Sequence, residues 1–217
     1  ADLEGDVRKI VQRVMKEHKR IIFNGDGYSE AWTQEAKRRG LLNLPTTVDA
    51  LPRYLDQKNV ELFTSHKIYT EAEMEARYET ILEEYSKTLN IEALTMSEMT
   101  RQDILPAVSA YIASLADAVA SKRAVISGLP CAAETSLIQK LSGLLDSAYE
   151  KVEALDALVT EGKASEYDHN TLRVATYYKD KIIPAMNELR AVVDQMEVDT
   201  SAAFWPYPSY GDLMFRV

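Results

Sequence analysis

The chain has 217 residues, 46% of them hydrophobic and 27% charged, a balance that fits one large folded domain or two small ones. Its net charge is −9, with no basic stripe to offset the acidic surplus, so no nucleic-acid partner is expected. The one cysteine, Cys131, excludes an internal disulfide framework and fits a reducing, cytoplasmic compartment.

No signal peptide is read at the start, and no apolar run is judged long enough to cross a bilayer, so no membrane partner is expected. The opening ADLEGDVRKI lacks Met and already reads as helix, which leads us to expect a piece of a longer chain.

Val7, Ile10, Val11, Val14 and Met15 repeat at steps of three and four, predicting a helix from about Asp2 to His18. Arg20 to Phe23 reads as a short strand or buried extended piece. Asn24-Gly25-Asp26-Gly27 is turn chemistry. Ser29 is placed to cap a helix that runs to Arg39 and stops at Gly40. Trp32 is read as that helix's anchor on its neighbours.

Leu41 to Ile68 is less regular. A short helix after Pro45 through Leu55 is predicted, then another holding Val60, Leu62 and Phe63.

Thr70 and Glu73 form a capping box. A long helix follows, with Met74, Tyr78, Ile81, Leu82, Tyr85, Leu89 and Ile91 on one side. Unbroken from Thr70 to Ser121, it would be about 75 Å long at 1.5 Å per residue. Pro106 is predicted to kink it.

Ser127-Gly128-Leu129-Pro130 breaks the pattern, with Pro130 near the first turn of the next helix. That helix carries Leu137, Leu141, Leu144, Leu145, Ala148, Val152, Leu155 and Val159, and Gly162 is predicted to end it. A third long helix is expected from about Glu166 to Val198. Ile104-Leu105-Pro106-Ala107-Val108 echoes Ile182-Ile183-Pro184-Ala185-Met186, so the two kinked helices are predicted to pack near their prolines.

The expected class is mainly all-α. Residues 70–217 form a bundle of three long, Pro-kinked helices with an extended aromatic tail. Residues 1–69 form a small helical or α+β segment with at most one or two short strands.

Candidate chemistry is sparse. Glu166 and His169 have di-iron spacing, but such a site needs two of these motifs and two further Glu residues. His18 and His66 have no partner at ligand spacing. Glu71, Glu73, Glu75, Glu79, Glu83 and Glu84 read as a solvated helix face. Gly25-Asp26-Gly27 is too short for a phosphate loop, and Ser29 lacks a nearby base. Cys131 reads as a small apolar residue at a helix entrance rather than a reactive thiol.

No catalytic, cofactor-binding or metal residue is assigned. The interaction candidates are Phe204, Trp205, Tyr207, Tyr210 and Phe215 in the tail. Either they fold back on the bundle or they dock on something outside it, and docking outside is the preferred expectation.

Three stretches resemble the C-terminal part of type III glutamine synthetases: IIFNGDGYSEAWTQEAKRRGLLNLPTTVDALP (Ile21 to Pro52), ARYETILEEYSKTLNIEALT (Ala76 to Thr95) and WPYPSYGDLMF (Trp205 to Phe215). The resemblance implies a parent that ligates ammonia to glutamate using ATP with Mg2+ or Mn2+. It places that machinery in domains preceding this part, so no catalytic residue is carried over and the isolated chain is expected to be inactive.

It further implies a dodecamer of two stacked rings. Asp2 to about Thr46 would end the catalytic fold, and Arg20 to Phe23 would be a strand cut from its sheet. The partners implied are the rest of the parent chain and neighbouring subunits. A structural, assembly role is the expectation; the alternative is a regulatory module for a small ligand or a nitrogen-signalling partner.

Overall fold

The computed structural model describes residues 2–165 and 170–215; within them it is helical, with no strand. The chain divides into two compact units, Ala1–Ala50 and Leu51–Val217.

In the first unit, α1 (Leu3–Glu17) starts where the Asp2 carboxylate accepts the Gly5 N–H at 3.0 Å. The predicted stripe of Val7, Ile10, Val11, Val14 and Met15 is present, but α1 has no buried residue and the whole stripe is exposed. The strand expected over Arg20 to Phe23 does not form. Lys19–Ile21 is a tight 3-10 turn and Ile22 after it is extended.

A strand needs neighbouring strands to take its backbone groups, and none is present among the described residues of this unit. Instead the Arg39 guanidinium donates to the carbonyls of Arg20 (2.5 Å) and Ile22 (3.0 Å). Arg39 sits at the C-terminal cap of α2 (Glu30–Arg38), and Gly40 ends that helix at φ +72. Ser29 stands at the N-cap, but its hydroxyl donates to the Asp26 carbonyl at 2.6 Å and makes no cap bond. Trp32 anchors α2 as expected: its ring lies 4.7 Å from that of Phe23, with the Arg39 guanidinium 5.9 Å from the indole. The unit closes with α3 (Thr47–Ala50).

The second unit opens with a 3-10 turn, Leu51–Leu55, and α4 (Gln57–Ser65). Phe63 joins them by lying 5.8 Å from both Tyr54 and Tyr69. The Thr70–Glu73 capping box then starts α5 (Glu71–Met99). α6 (Leu105–Val125), α7 (Ala132–Ser165), α8 (Thr171–Tyr177), α9 (Ile183–Asp199) and the short α10 (Tyr210–Phe215) follow. Among the described residues the third helix starts at Thr171, with the Asn170 side chain accepting the Arg173 N–H; its expected start at Glu166 lies outside them. Cys131 precedes α7 at φ 43, and its carbonyl accepts the Thr135 N–H at 3.0 Å.

Both prolines are met by the same device. Pro106 has no N–H, and in a regular α turn its ring would press on the carbonyl four residues back. The backbone widens into a π turn over Thr100–Ile104, so the Leu105 N–H reaches the Thr100 carbonyl. Before Pro184 a second π turn, Tyr178–Ile182, sends the Ile183 N–H to the Tyr178 carbonyl. The sequence echo is thus a structural one, and Ile104 and Ile182 are buried in one core.

That core is centred on α7, which packs on both α6 and α9. Leu141, Ala148, Val152, Leu155 and Val159 meet Val108, Tyr178, Leu189 and Met196. Each large aliphatic side chain so buried contributes about 1.5–3 kcal/mol. Met74 and Leu82 of α5 are buried, whereas Ile81 and Ile91, expected beside them, are exposed. The face of α5 that packs also buries small residues: Ser86, Ala93 and Ser97.

Gly162 does not end its helix, because α7 runs on to Ser165. A Cβ at Gly162 would stand 3.1 Å from the Tyr177 ring, so the missing side chain permits helix contact.

One further correction concerns apolar length. By length and composition alone, the continuous helix Glu71–Val125 is long and apolar enough to cross a membrane. Between Asp103 and Lys122 its only charge is Asp117, and its many Ala and Ser residues hid the run from a search for large apolar side chains. In the fold this helix is a member of the bundle.

Candidate functional site

The aromatic tail divides in two. The Ser201 carbonyl accepts the N–H groups of Phe204 (2.8 Å) and Trp205 (3.1 Å), turning the chain back after α9. Phe204 lies 5.3 Å from the Tyr111 ring, and Trp205 and Tyr207 pack on the core. The Tyr207 hydroxyl donates to the Asp103 carboxylate at 2.8 Å. Burial, and then Asp103, push the Tyr207 phenol up to about 12.

Beyond Pro208 the chain turns outward. Asp212 accepts the Ser209 N–H at 2.9 Å while the Ser209 hydroxyl accepts the Asp212 N–H at 3.2 Å, a reciprocal cap that starts α10. The Ser209 hydroxyl also donates to the Asp212 carboxylate at 2.7 Å, and this bond first, then the Ser209 N–H, holds the Asp212 carboxyl below its usual range. On α10, Tyr210 is 84% exposed, Leu213 65%, Met214 71% and Phe215 77%. Of the five tail residues named from the sequence, Phe204, Trp205 and Tyr207 gather on the bundle while Tyr210 and Phe215 stand away from it. Leu213 and Met214 were not singled out; their three-and-four spacing from Tyr210 was the available signal.

The first π turn organises its surroundings. Arg101 donates to Asp156 of α7 at 2.7 Å and also to Glu153. The Ser97 hydroxyl donates to the other Asp156 oxygen at 2.6 Å. Asp103, on the same turn, receives Tyr207. Thr100 and Ile104 line an open apolar groove between α5 and α9, walled by Met96, Met99, Met186 and Leu189. The sequence showed the prolines but not this convergence, which depends on the widened turn.

A second, polar pocket lies between α5 and α8, lined by Glu79, Glu83, Asn170 and Thr171. Its carboxylates already hold partners: the Thr171 hydroxyl donates to Glu79, and Lys87 to Glu83 at 2.9 Å. Among the described residues, no cluster of three His, Cys, Asp or Glu side chains is arranged to hold a metal. Glu166 and His169 lie outside the described residues. Cys131 is buried.

Comparison with known proteins gives a consistent set of matches. The family described as glutamine synthetase C-terminal domain matches residues 6–123. The chain is 35% identical over 216 residues to a glutamine synthetase of Butyrivibrio fibrisolvens, covering 100% of this chain and 30% of that protein. It is 34% identical over 211 residues to the type-3 glutamine synthetase of Dictyostelium discoideum, covering 95% of this chain and 28% of that one. A glutamine synthetase of Bacteroides fragilis is 29% identical over 215 residues, with 94% of this chain and 28% of the relative covered. The chain therefore spans less than a third of the length of these relatives.

Proposed function

Because the chain belongs to the glutamine synthetase C-terminal domain family, we propose that it is a non-catalytic helical domain of a type 3 synthetase and that it serves assembly. The observation that carries this reading is the exposed stripe of α1. Val7, Ile10, Val11, Val14 and Met15 form a regular apolar face that is exposed. Such a face suits a contact with further protein. The stretches of parent chain that this sequence does not span are its natural cover.

In this reading the parent's ATP-dependent ligation of ammonia to glutamate, with its Mg2+ or Mn2+, belongs to those other stretches. The parent is cytoplasmic and forms a two-ringed dodecamer, and the Ala- and Ser-rich helix α6 meets protein rather than lipid. The test is a glutamine-formation assay on the isolated, purified chain with ATP, glutamate, ammonia and Mg2+. No product is expected, and turnover that follows the chain through purification overturns the reading.

A second reading takes the polar pocket at Glu79, Glu83 and Thr171 as a regulatory ligand site, favoured by its mixed charges. Calorimetric titration with glutamine and nucleotides tests it. Heat that disappears in Glu83→Gln supports it, and silence across the panel removes it.

A further inference from the structure

We infer that the tail segment from Ser201 to Tyr207 is a strap that sets the first π turn and, through that turn, the lining of the groove between α5 and α9.

The strap is fastened at the turn and just beyond it. The Tyr207 hydroxyl donates to Asp103 at 2.8 Å, and Asp103 belongs to the turn itself. Phe204 lies 5.3 Å from the ring of Tyr111, which stands further along α6. Trp205 packs on the core that buries Ile104. All three tail side chains are half-buried rather than buried. A segment held by so few groups opens locally at a much lower cost than the bundle unfolds.

The turn depends on its surroundings. A π turn is wider than an α turn and is rare without outside support. Pro106 removes one α-type bond, but side chains fix the turn from two directions. Arg101 ties it to Asp156 of α7 at 2.7 Å, and Asp103 ties it to the strap. The second π turn also precedes a proline but is supported differently: the Tyr178 hydroxyl donates to Asn90 of α5 at 3.4 Å.

The groove shares the turn's residues. Thr100 and Ile104, its first and last members, line the groove opposite Met186 and Leu189. The Thr100 hydroxyl donates to the Met96 carbonyl at 2.8 Å, and Met96 is on the same wall. A turn that changes shape therefore re-aims several groove residues together. By linkage, lifting the strap alters the groove, and an occupant of the groove shifts the strap by the same factor. The exposed helix α10 follows the strap directly and is the handle by which it is lifted.

The test is hydrogen exchange with mass spectrometry on the full-length synthetase, comparing wild type with Tyr207→Phe, Asp103→Ala and Asp103→Asn. In Tyr207→Phe and Asp103→Ala the amides of residues 100–105 should exchange about fivefold faster, the factor that one net hydrogen bond supplies. Residues 178–183 should keep their rate, which separates strap release from general loosening. Asp103→Asn keeps an acceptor for Tyr207 and should stay near wild type. Oxidation of Met96 and Met99 by dilute peroxide, followed in the same samples, should change rate with the first two variants and not with the third. Unchanged exchange over residues 100–105, or equal acceleration over 178–183, overturns the strap. Accelerated exchange with unchanged oxidation of both methionines overturns its link to the groove.

Discussion

Gly162 stands where the Tyr177 ring leaves little room: an added Cβ would meet the ring's Cε1 at 3.1 Å. Inside a helix Ala is ordinarily better than Gly by about 1 kcal/mol. Here the ring is held, because the Tyr177 hydroxyl donates to the Leu158 carbonyl at 3.0 Å. Gly162→Ala should therefore lower the urea midpoint, by roughly 1 kcal/mol or more of stability; a gain would show that the ring yields.

Tyr207 makes a different kind of prediction. Its phenol is raised from 10.0 to about 12, by burial first and by Asp103 next. The folded chain holds this proton more tightly, so the contribution is complete below pH 10.0 and is lost as the pH climbs through about 12. Tyr207→Phe should shrink that alkaline step in a phenolate absorbance titration, leaving the part due to Tyr177, which burial and then Glu161 also push up to about 12. It should also cost about 1 kcal/mol, the usual net value of one hydrogen bond.

Glu35 runs in the opposite sense. Hydrogen bonds from Arg38 and then Arg39 lower it from 4.5 to about 2. Its contribution is present above pH 4.5 and is lost as the pH falls through about 2. Arg39 also holds the Arg20 and Ile22 carbonyls. Acid should thus loosen the first unit, seen as a change in Trp32 fluorescence in a Trp205→Phe background; a flat signal over that range would contradict it.

At the scale of elements, the π turn is held by charge as well as by Pro106. Arg101 and Ser97 share Asp156, which is partly buried. Arg101→Met removes the bonds to Asp156 and Glu153 and leaves Asp156 short of a partner. With these groups partly solvated, a loss of about 1–2 kcal/mol is expected in urea unfolding. Ser97→Ala combined with it should cost less than the two losses added, because both act on one carboxylate.

The long helices were readable because large apolar residues recur at helical spacing and Thr70 and Glu73 mark a start by chemistry alone. The π turns were not readable. A proline announces that a helix must adjust, but how it adjusts is decided by what packs around it. Ser86, Ser97 and Thr100 were missed as core residues because their types look like surface, while their small size is what lets helices approach. Arg20 to Phe23 misled in the other direction, since β-forming residues make no strand without a partner.

For the whole molecule, the division of the tail is the informative result. Its aromatic content marked it as a segment that packs, yet nothing in residue type told Tyr207, which finds Asp103, from Tyr210, which stands exposed. The difference comes from the turn at Ser201 and the reciprocal cap at Ser209. The exposed faces of α1 and α10 lie on different compact units, so any assembly contacts they make are separable by mutation.

The central claim is that these helices serve assembly and not chemistry. Its most direct test is the particle mass, by multi-angle light scattering, of the full-length synthetase with and without residues 70–217. A folded product of fewer subunits is predicted on removal, and again for Val7→Asp/Val11→Asp on α1, whose exposed stripe carries the reading. A particle that keeps its full subunit number would contradict the account.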